Sequence, residues 1–186
     1  MSPPARDPSR LPGVTLVLGG ARSGKSRHAE ALVLASGLLP VYLATAEALD
    51  DEMAARIAHH RARREPVWRT VEAPLELAAT LEREAAPDRA ILVDCLTLWL
   101  SNLLGADRDP GAACEQLAAT LGRLAGPLVL VSNEVGQGIV PANPLARRFV
   151  DEAGRLHQAI AARADRVVLM LAGLPQVLKS EPSCTS

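Results

Sequence analysis

Residues 19–26 read Gly-Gly-Ala-Arg-Ser-Gly-Lys-Ser and match the phosphate-loop pattern Gly-x-x-x-x-Gly-Lys-Ser/Thr at every fixed position. An apolar run at Val14–Leu18 precedes the stretch and a helical pattern follows it, which disfavours the alternative of a glycine-rich turn that matches by chance. Glycines let backbone N–H groups curl around phosphate oxygens at a helix N-terminus. Lys25 would bring a positive charge to the β- and γ-phosphates, and the Ser26 hydroxyl could ligate Mg²⁺. The predicted nucleotide-binding residues are Gly19, Gly20, Ala21, Arg22, Ser23, Gly24, Lys25 and Ser26.

Short apolar runs alternate with longer helical patterns along the chain. The predicted strands are Val14–Leu18, Val41–Ala44, Ile91–Val93, Leu128–Val131 and Val167–Leu171, with a weaker candidate at Val67–Val71. The predicted helices are Lys25–Ser36, Asp50–Arg64, Leu75–Glu84, Ala112–Leu124 and Leu145–Ala164. This alternation predicts an α/β fold of the P-loop NTPase type, a mostly parallel central sheet with helices on both faces. We expect one domain at residues 14–177, with loosely held tails at 1–13 and 178–186.

Composition narrows the class of protein further. The chain has 186 residues, about the size of one domain, and with 2 % aromatic residues its core must be aliphatic. A formal net charge of −1 argues against a nucleic-acid binder that relies on bulk positive charge. Cys95, Cys114 and Cys184 lack a paired spacing and are typical of reduced thiols. With neither a signal peptide nor a membrane-spanning apolar run, we expect a cytoplasmic protein.

Asp94 ends the predicted strand at 91–93, a position where phosphate-loop enzymes often carry an acid. It could hold Mg²⁺ through water or contact the nucleotide. The alternative is that Asp94 only N-caps a helix that begins near Leu96, and the two roles are compatible. No Glu follows Asp94, which removes the usual water-activating base of ATP-driven motors and points to transfer to an organic acceptor.

The predicted helix Asp50–Arg64 carries two adjacent histidines. Helical spacing places His60 on a stripe with Met53 and Ile57, whereas His59 lies among charged residues. The arginines that follow would suit a second phosphate chain. A plain solvent-facing helix is the alternative, because acids at its start and bases at its end match the helix dipole.

Taken together, several segments resemble one family, the bifunctional adenosylcobinamide kinase/adenosylcobinamide-phosphate guanylyltransferases of the cobalamin pathway. The resembling segments are the loop with its following helix at 19–30, Tyr42–Ala46, Asp50–His60, Trp68–Glu72, Asn102–Leu104, Asn133–Pro141 and Leu145–Arg147. In order, they cover about residues 14–172.

The resemblance implies two reactions that use Mg²⁺, ATP or GTP, and adenosylcobinamide. A hydroxyl of adenosylcobinamide takes the γ-phosphate of a nucleoside triphosphate. A histidine then attacks the α-phosphate of GTP, and the cobinamide phosphate displaces GMP from this covalent intermediate, which gives adenosylcobinamide-GDP and pyrophosphate. The runner-up is another phosphate-loop kinase of a small molecule, without nucleotidyl transfer.

The resemblance also assigns residues. One of the paired histidines is expected to carry GMP, and the helical stripe described above favours His60, with His59 in reserve. Further nucleotide contacts are implied for Ala44, Thr45, Ala46, Arg61, Ala62, Arg63, Arg64, Glu72 and Asp94. The acids Glu72 and Asp94 suit the hydrogen-bond donors of guanine or ribose. Metal ligation is expected of Ser26 and Asp94.

Two further expectations concern the loop after residue 133 and the quaternary structure. Glu134, Gly136 and Gly138 form either a flexible lid or an ordinary tight connection. His28 and His157 are predicted to be solvated helix positions. The family resemblance implies a homo-oligomer, a trimer.

Overall fold

The computed structural model describes residues 11–47 and 66–180 of the chain. Seven strands form one sheet in the order β3-β2-β4-β5-β1-β6-β7. They are β1 Val14–Gly19, β2 Leu39–Ala44, β3 Arg69–Glu72, β4 Arg89–Asp94, β5 Leu128–Asn133, β6 Arg166–Leu171 and β7 Leu174–Ser180. The pairs among β1–β6 are parallel, and β7 runs antiparallel to β6. The prediction of a mostly parallel sheet is confirmed.

Four of the five helices in the described residues begin and end close to the predicted positions, whereas the fifth, Leu96–Gly105, is expected only in the N-cap alternative for Asp94. They are α1 Lys25–Ala35, α2 Leu77–Glu84, α3 Leu96–Gly105, α4 Pro110–Leu121 and α5 Pro144–Arg163. Both α4 and α5 begin with proline, and the side chains of Asp109 and Asn143 cap them by accepting bonds from backbone N–H groups. No helix in this part of the chain is long and apolar enough to cross a membrane. The predicted helix Asp50–Arg64 lies outside the described residues.

Strand alternation divides the core into two layers. On β1, Leu16 and Leu18 pack in the cluster that contains apolar residues of α2 to α5, whereas Val17 packs in the cluster with Ala29 and Val33 of α1. Successive side chains of a strand point to opposite faces, so β1, whose six residues are all buried, is covered on both sides. Helices therefore lie on both faces of the sheet, as the sequence predicted.

The last strand is where the structure departs from the sequence pattern. β7 extends through 178–180, which had been assigned to the loosely held tail, and all seven of its residues are exposed. A strand is recognised in the sequence by a run of apolar residues. β7 is an exposed edge strand without such a run, so the sequence does not predict it. It is joined to β6 by a tight turn in which Ala172 and Gly173 both have positive φ, 52° and 81°. The weak candidate at 67–71 does form a strand, although it begins at Arg69.

His157 corrects a second expectation. Its side chain is buried between α5 and β5, and its Nε2 atom lies 2.7 Å from Ser132 Oγ. It is therefore not a solvated position, and His28 on α1 is also only partly exposed. Burial lowers the pKa of His157 below its ordinary value of 6.5, and the nearby Glu134 carboxylate opposes this only in part.

This burial predicts a pH-dependent loss of stability. Below pH 6.5 the unfolded chain binds a proton at residue 157 that the native state takes up only at lower pH, so the free energy of unfolding falls as pH falls through this window. His157→Gln keeps an amide within reach of Ser132 and does not titrate. Urea unfolding at about pH 7.5 and about pH 5.5 should show a smaller acid loss for His157→Gln than for the wild type. Equal losses in the two proteins would contradict the assignment.

Candidate functional site

The phosphate loop at residues 19–26 joins β1 to α1 and adopts the conformation that its glycines permit. A Cβ on Gly19 would lie 2.5 Å from Ser23 Oγ and 2.8 Å from the carbonyl oxygen of Met170. Gly24 has φ +92°, in the left-handed region, immediately before the first residue of α1. Gly20, Ala21 and Arg22 are exposed at the tip of the loop. The loop thus presents its backbone at a helix N-terminus, as anion binding requires.

The turn between β6 and β7 supports this loop from the side. The Gly173 N–H donates to the carbonyl of Ser23 at 3.1 Å, and a Cβ on Gly24 would meet the Cα of Gly173 at 3.5 Å. The Ser23 hydroxyl is buried and has no hydrogen-bond partner within residues 11–47 and 66–180. A buried polar atom in that condition suits a phosphate oxygen as its partner. No sequence pattern indicates the contact with Gly173, because this contact depends on where the hairpin packs.

Lys25 is nearly buried at the start of α1, and its Nζ donates to the carbonyl of Gly20 at 3.0 Å. Burial lowers the pKa of Lys25, while the fields of Cys95 and Asp94 oppose that shift. Burial also raises the pKa of the Cys95 thiol, which favours its neutral form beside Lys25. The structure therefore brings the predicted cation and the predicted acid into one electrostatic site.

Asp94 is the last residue of β4, and its Oδ2 accepts a hydrogen bond of 3.1 Å from the Tyr42 hydroxyl. The N-cap of α3 is Cys95, and no side chain caps that helix. The alternative that Asp94 serves only as an N-cap therefore does not agree with the structure.

Thr45 joins the end of β2 to the residue that follows β4. Its side chain is fully buried; its Oγ1 accepts from the Cys95 N–H and donates to the Cys95 carbonyl, both at 2.8 Å. Its own carbonyl accepts from Asn102 Nδ2 at 2.7 Å. These bonds tie the ends of β2 and β4 to α3. The Thr45 side chain therefore braces this edge of the sheet, and the nucleotide contact of residue 45 stays a prediction.

Three of the remaining predicted nucleotide contacts, Ala44, Ala46 and Glu72, lie among the described residues. Ala44 ends β2 and stands in register between Glu72 of β3 and Asp94 of β4, so both acids lie at the edge of the sheet that carries the phosphate loop. Ala46 follows two residues later. His59, His60 and residues 61–64 lie outside the described part of the chain.

Glu134 follows β5 beside the phosphate loop. Its N–H donates to the carbonyl of Gly19 at 3.0 Å, and its Oε1 accepts from the Gly136 N–H at 2.7 Å. The first part of this segment is therefore held in place, whereas residues 136–140 are exposed. Glu134 thus joins Lys25 and Asp94 at this edge of the sheet.

Two solved structures resemble this fold over most of the chain. The flagellar accessory protein FlaH from Methanocaldococcus jannaschii has a TM-score of 0.56 at 12 % identity, covering 92 % of this chain and 80 % of that one. A protein from Pyrococcus horikoshii OT3 has a TM-score of 0.57 at 11 % identity, covering 94 % and 89 %. At such identities the likeness concerns the fold alone.

Sequence comparison is more specific. A bifunctional adenosylcobalamin biosynthesis protein, CobP, of Pseudomonas aeruginosa is 60 % identical over 170 residues, covering 90 % of this chain and 98 % of the relative. Its counterpart CobU of Salmonella typhimurium is 48 % identical over 181 residues, covering 88 % and 98 %. The sequence model of the family described as cobinamide kinase / cobinamide phosphate guanyltransferase matches residues 15–178, which include the phosphate loop, Asp94 and Glu134. The chain belongs to this family.

Proposed function

We propose that this chain phosphorylates adenosylcobinamide with a nucleoside triphosphate and then transfers GMP from GTP to the product through a GMP–histidine intermediate. The observation that carries the proposal is the phosphate loop with Lys25 and Asp94 in one site, in a chain whose family is described by both activities. ATP, GTP and adenosylcobinamide are then its substrates. The runner-up, a small-molecule kinase without nucleotidyl transfer, is separated from it by the covalent adduct.

In the kinase reaction, the hydroxyl oxygen of the corrinoid's aminopropanol arm attacks the γ-phosphorus. The bond from the γ-phosphorus to the bridging oxygen breaks, and the nucleoside diphosphate leaves with the electron pair. Backbone N–H groups of residues 19–26 would hold the phosphates, and the Lys25 ammonium would stabilise the charge that develops on their oxygens. The hydrogen bond from Lys25 Nζ to the Gly20 carbonyl supports this role, because it places the ammonium group against the phosphate loop.

Mg²⁺ is the cofactor that we assign to both reactions, held by Ser26 and Asp94. The described residues contain no group of three or more His, Cys, Asp or Glu able to hold a metal. Mg²⁺ commonly binds through one or two protein oxygens together with water and substrate phosphates, so a hydroxyl and a carboxylate fit it. When bound, it neutralises negative charge on the phosphate oxygens.

In the guanylyltransferase reaction, we assign the nucleophile to His60, with His59 in reserve. The imidazole nitrogen attacks the α-phosphorus of GTP, and pyrophosphate leaves. An oxygen of the cobinamide phosphate then displaces the histidine. Arg61–Arg64 would hold phosphates, and Glu72 would accept from the guanine or ribose donors. The position of Glu72 in register beside the carboxyl ends of β2 and β4 supports its part in this assignment.

Assembly and location complete the proposal. The β6–β7 hairpin exposes Leu171, Leu174, Val177 and Leu178, with exposed fractions of 67 %, 72 %, 48 % and 55 %. An apolar edge of this kind is typical of a surface covered by another subunit, which supports a homo-oligomer, a trimer by the family resemblance.

Cys95 and Cys114 are free thiols, as expected of a cytoplasmic protein.

Lys25→Ala should cripple the kinase reaction. Loss of one such electrostatic contact commonly costs on the order of 3 kcal/mol in the transition state, or about a hundredfold in rate. Steady-state phosphorylation of adenosylcobinamide, with circular dichroism to verify folding, measures this loss. Near-normal turnover by a folded Lys25→Ala protein would remove the phosphate loop from the mechanism.

Asp94→Asn should lower nucleotide use while the fold is kept. The amide preserves the size of the side chain and its acceptor for the Tyr42 hydroxyl, but it removes the charge beside Lys25 and a ligand for Mg²⁺. We expect a lower kcat/KM and a higher Mg²⁺ requirement in a titration of the metal. Tyr42→Phe is the matched control, because it removes the hydrogen bond between residues 42 and 94 and keeps the carboxylate. If both variants behave alike, the carboxylate charge has no role.

The covalent intermediate identifies the histidine. Incubation with α-labelled GTP and Mg²⁺ should label the protein with an acid-labile, alkali-stable bond, as expected of phosphorus bound to an imidazole nitrogen. His60→Ala should abolish labelling and keep kinase turnover, whereas His59→Ala should retain part of the label, since adjacent rings on a helix point about 100° apart. Denaturing electrophoresis with peptide mapping measures both. The opposite pattern assigns the role to His59, and full labelling of the double variant contradicts the mechanism.

A further inference from the structure

Ser132, His157 and Glu134 form a line of polar groups beside the phosphate loop that the reactions above do not use. The Nε2 atom of His157 lies 2.7 Å from Ser132 Oγ, and its Nδ1 lies 3.8 Å from Glu134 Oε2. Ser132 is fully buried, and the Glu134 side chain is 23 % exposed. The imidazole thus connects a buried hydroxyl to a carboxylate that reaches solvent.

The position of these groups follows from strand periodicity. Leu128 and Leu130 of β5 point into the core layer that contains α5, so Ser132 and Glu134, two and four residues further, continue the same face. His157 reaches them from α5, in the turn between the buried residues Leu156 and Ile160. The arrangement is therefore held by the core of the domain.

The charge on Glu134 selects the tautomer of the imidazole. A neutral histidine has one N–H and one lone pair. If the lone pair were on Nδ1, it would face the carboxylate and repel it, so Nδ1 carries the hydrogen and Nε2 accepts from the Ser132 hydroxyl. The N–H of Nδ1 then directs its positive end at Glu134 Oε2. At 3.8 Å this is an electrostatic attraction and not a hydrogen bond, whereas the Gly136 N–H donates to Oε1 at 2.7 Å.

Glu134 stands at the centre of the reactive edge. β5 lies between β1, which leads into the phosphate loop, and β4, which ends at Asp94. The register pairs Asn133 with Gly19, and the next residue donates its N–H to the Gly19 carbonyl at 3.0 Å. The backbone of Glu134 is thus hydrogen-bonded directly to the first residue of the phosphate loop, next to the strand that carries Asp94.

We propose that Glu134 is a catalytic residue of the kinase reaction, which accepts the proton of the corrinoid hydroxyl, and that His157 is the positioning residue that holds its carboxylate. As the hydroxyl oxygen bonds to the γ-phosphorus, its O–H electrons remain on that oxygen and the proton passes to Glu134 Oε. The diphosphate leaves with the electrons of the broken phosphorus–oxygen bond, and Glu134 releases the proton to water. This inference rests on the kinase reaction proposed above.

The second reaction does not need this base. Its nucleophiles are a neutral imidazole and a phosphate oxygen that is already ionised near neutral pH, so neither attack requires removal of a hydroxyl proton. If Glu134 transfers the proton, its replacement therefore impairs the kinase reaction and not the guanylyltransferase reaction. If Glu134 only supports the loop, its replacement impairs both reactions.

The test compares Glu134→Gln with the wild type in three assays. These are phosphorylation of adenosylcobinamide with a γ-labelled triphosphate, labelling of the protein by α-labelled GTP, and transfer of that label to adenosylcobinamide phosphate. Gln keeps the size and the acceptor for Gly136, so we expect the kinase kcat to fall by about 10² or more, with the nucleotide KM and both guanylyl assays unchanged. Gln158→Ala, at an exposed neighbour of His157 on α5, is the control and should match the wild type.

Two variants of His157 separate positioning from packing. His157→Asn keeps an amide N–H near the Nδ1 position that faces Glu134, whereas His157→Gln keeps an amide oxygen near the Nε2 position, which accepts from the Ser132 hydroxyl. We expect His157→Gln to lower the kinase kcat by up to about 100-fold without a change in nucleotide KM, and His157→Asn to retain most of it. Kinase rates that are equal in the two variants, or higher in Gln, would show that His157 only fills the core.

Each outcome decides between the proposals. Wild-type kinase turnover in Glu134→Gln overturns the role of Glu134 and leaves the proposed function in place. An equal loss in all three assays also overturns the role of Glu134 as proton acceptor, since the loss would then come from a disturbed loop and not from a missing base. Absence of kinase turnover in the wild-type protein, with labelling by GTP intact, overturns the proposed kinase reaction and this inference with it.

Discussion

The site depends on how β1 is fixed at both ends. At its start, Val14 N–H donates to Asp165 Oδ2 at 2.7 Å, the Asp165 N–H donates to the Val14 carbonyl at 2.9 Å, and Leu128 N–H donates to the Gly13 carbonyl at 2.7 Å. At its end, the Gly19 carbonyl accepts from Glu134. Between these points β1 pairs with β5 and β6 and is buried on both faces. A loop that must offer backbone N–H groups to phosphate requires a rigid strand of this kind beneath it.

Electrostatics adds a constraint on the side chains above that strand. Lys25 loses hydration through burial, and the charge of Asp94 compensates part of this cost. Cys95 lies next to Asp94 but stays a neutral thiol, since burial raises its pKa. A second anion at position 95 would compete with the substrate phosphates for Lys25. The site thus keeps one acid near its cation and leaves the cation available for a ligand.

The sequence predicted the parts of the structure that short-range patterns determine. The phosphate loop, five buried strands and the helices α1, α2, α4 and α5 follow from glycine spacing, apolar runs and helical periodicity. The burial of His157 could not be predicted in this way, because it depends on the contact between α5 and Ser132 of β5. The bracing role of Thr45 likewise depends on the end of β4, and β7 lacks the apolar run that would mark a strand. These features arise from tertiary packing, where residues distant in sequence meet.

The bond between Gly173 and Ser23 has a consequence for the order of folding. The phosphate loop lies within the first 26 residues, yet its lateral support comes from a turn near the other end of the described chain, and β6, a pairing partner of β1, directly precedes that turn. Contacts so distant in sequence form late, since a long loop must close first. On the ribosome, the cradle for triphosphate stays incomplete until residue 173 has emerged. A chain released early, before the hairpin is made, therefore lacks the finished nucleotide site even though every residue of the loop motif is present.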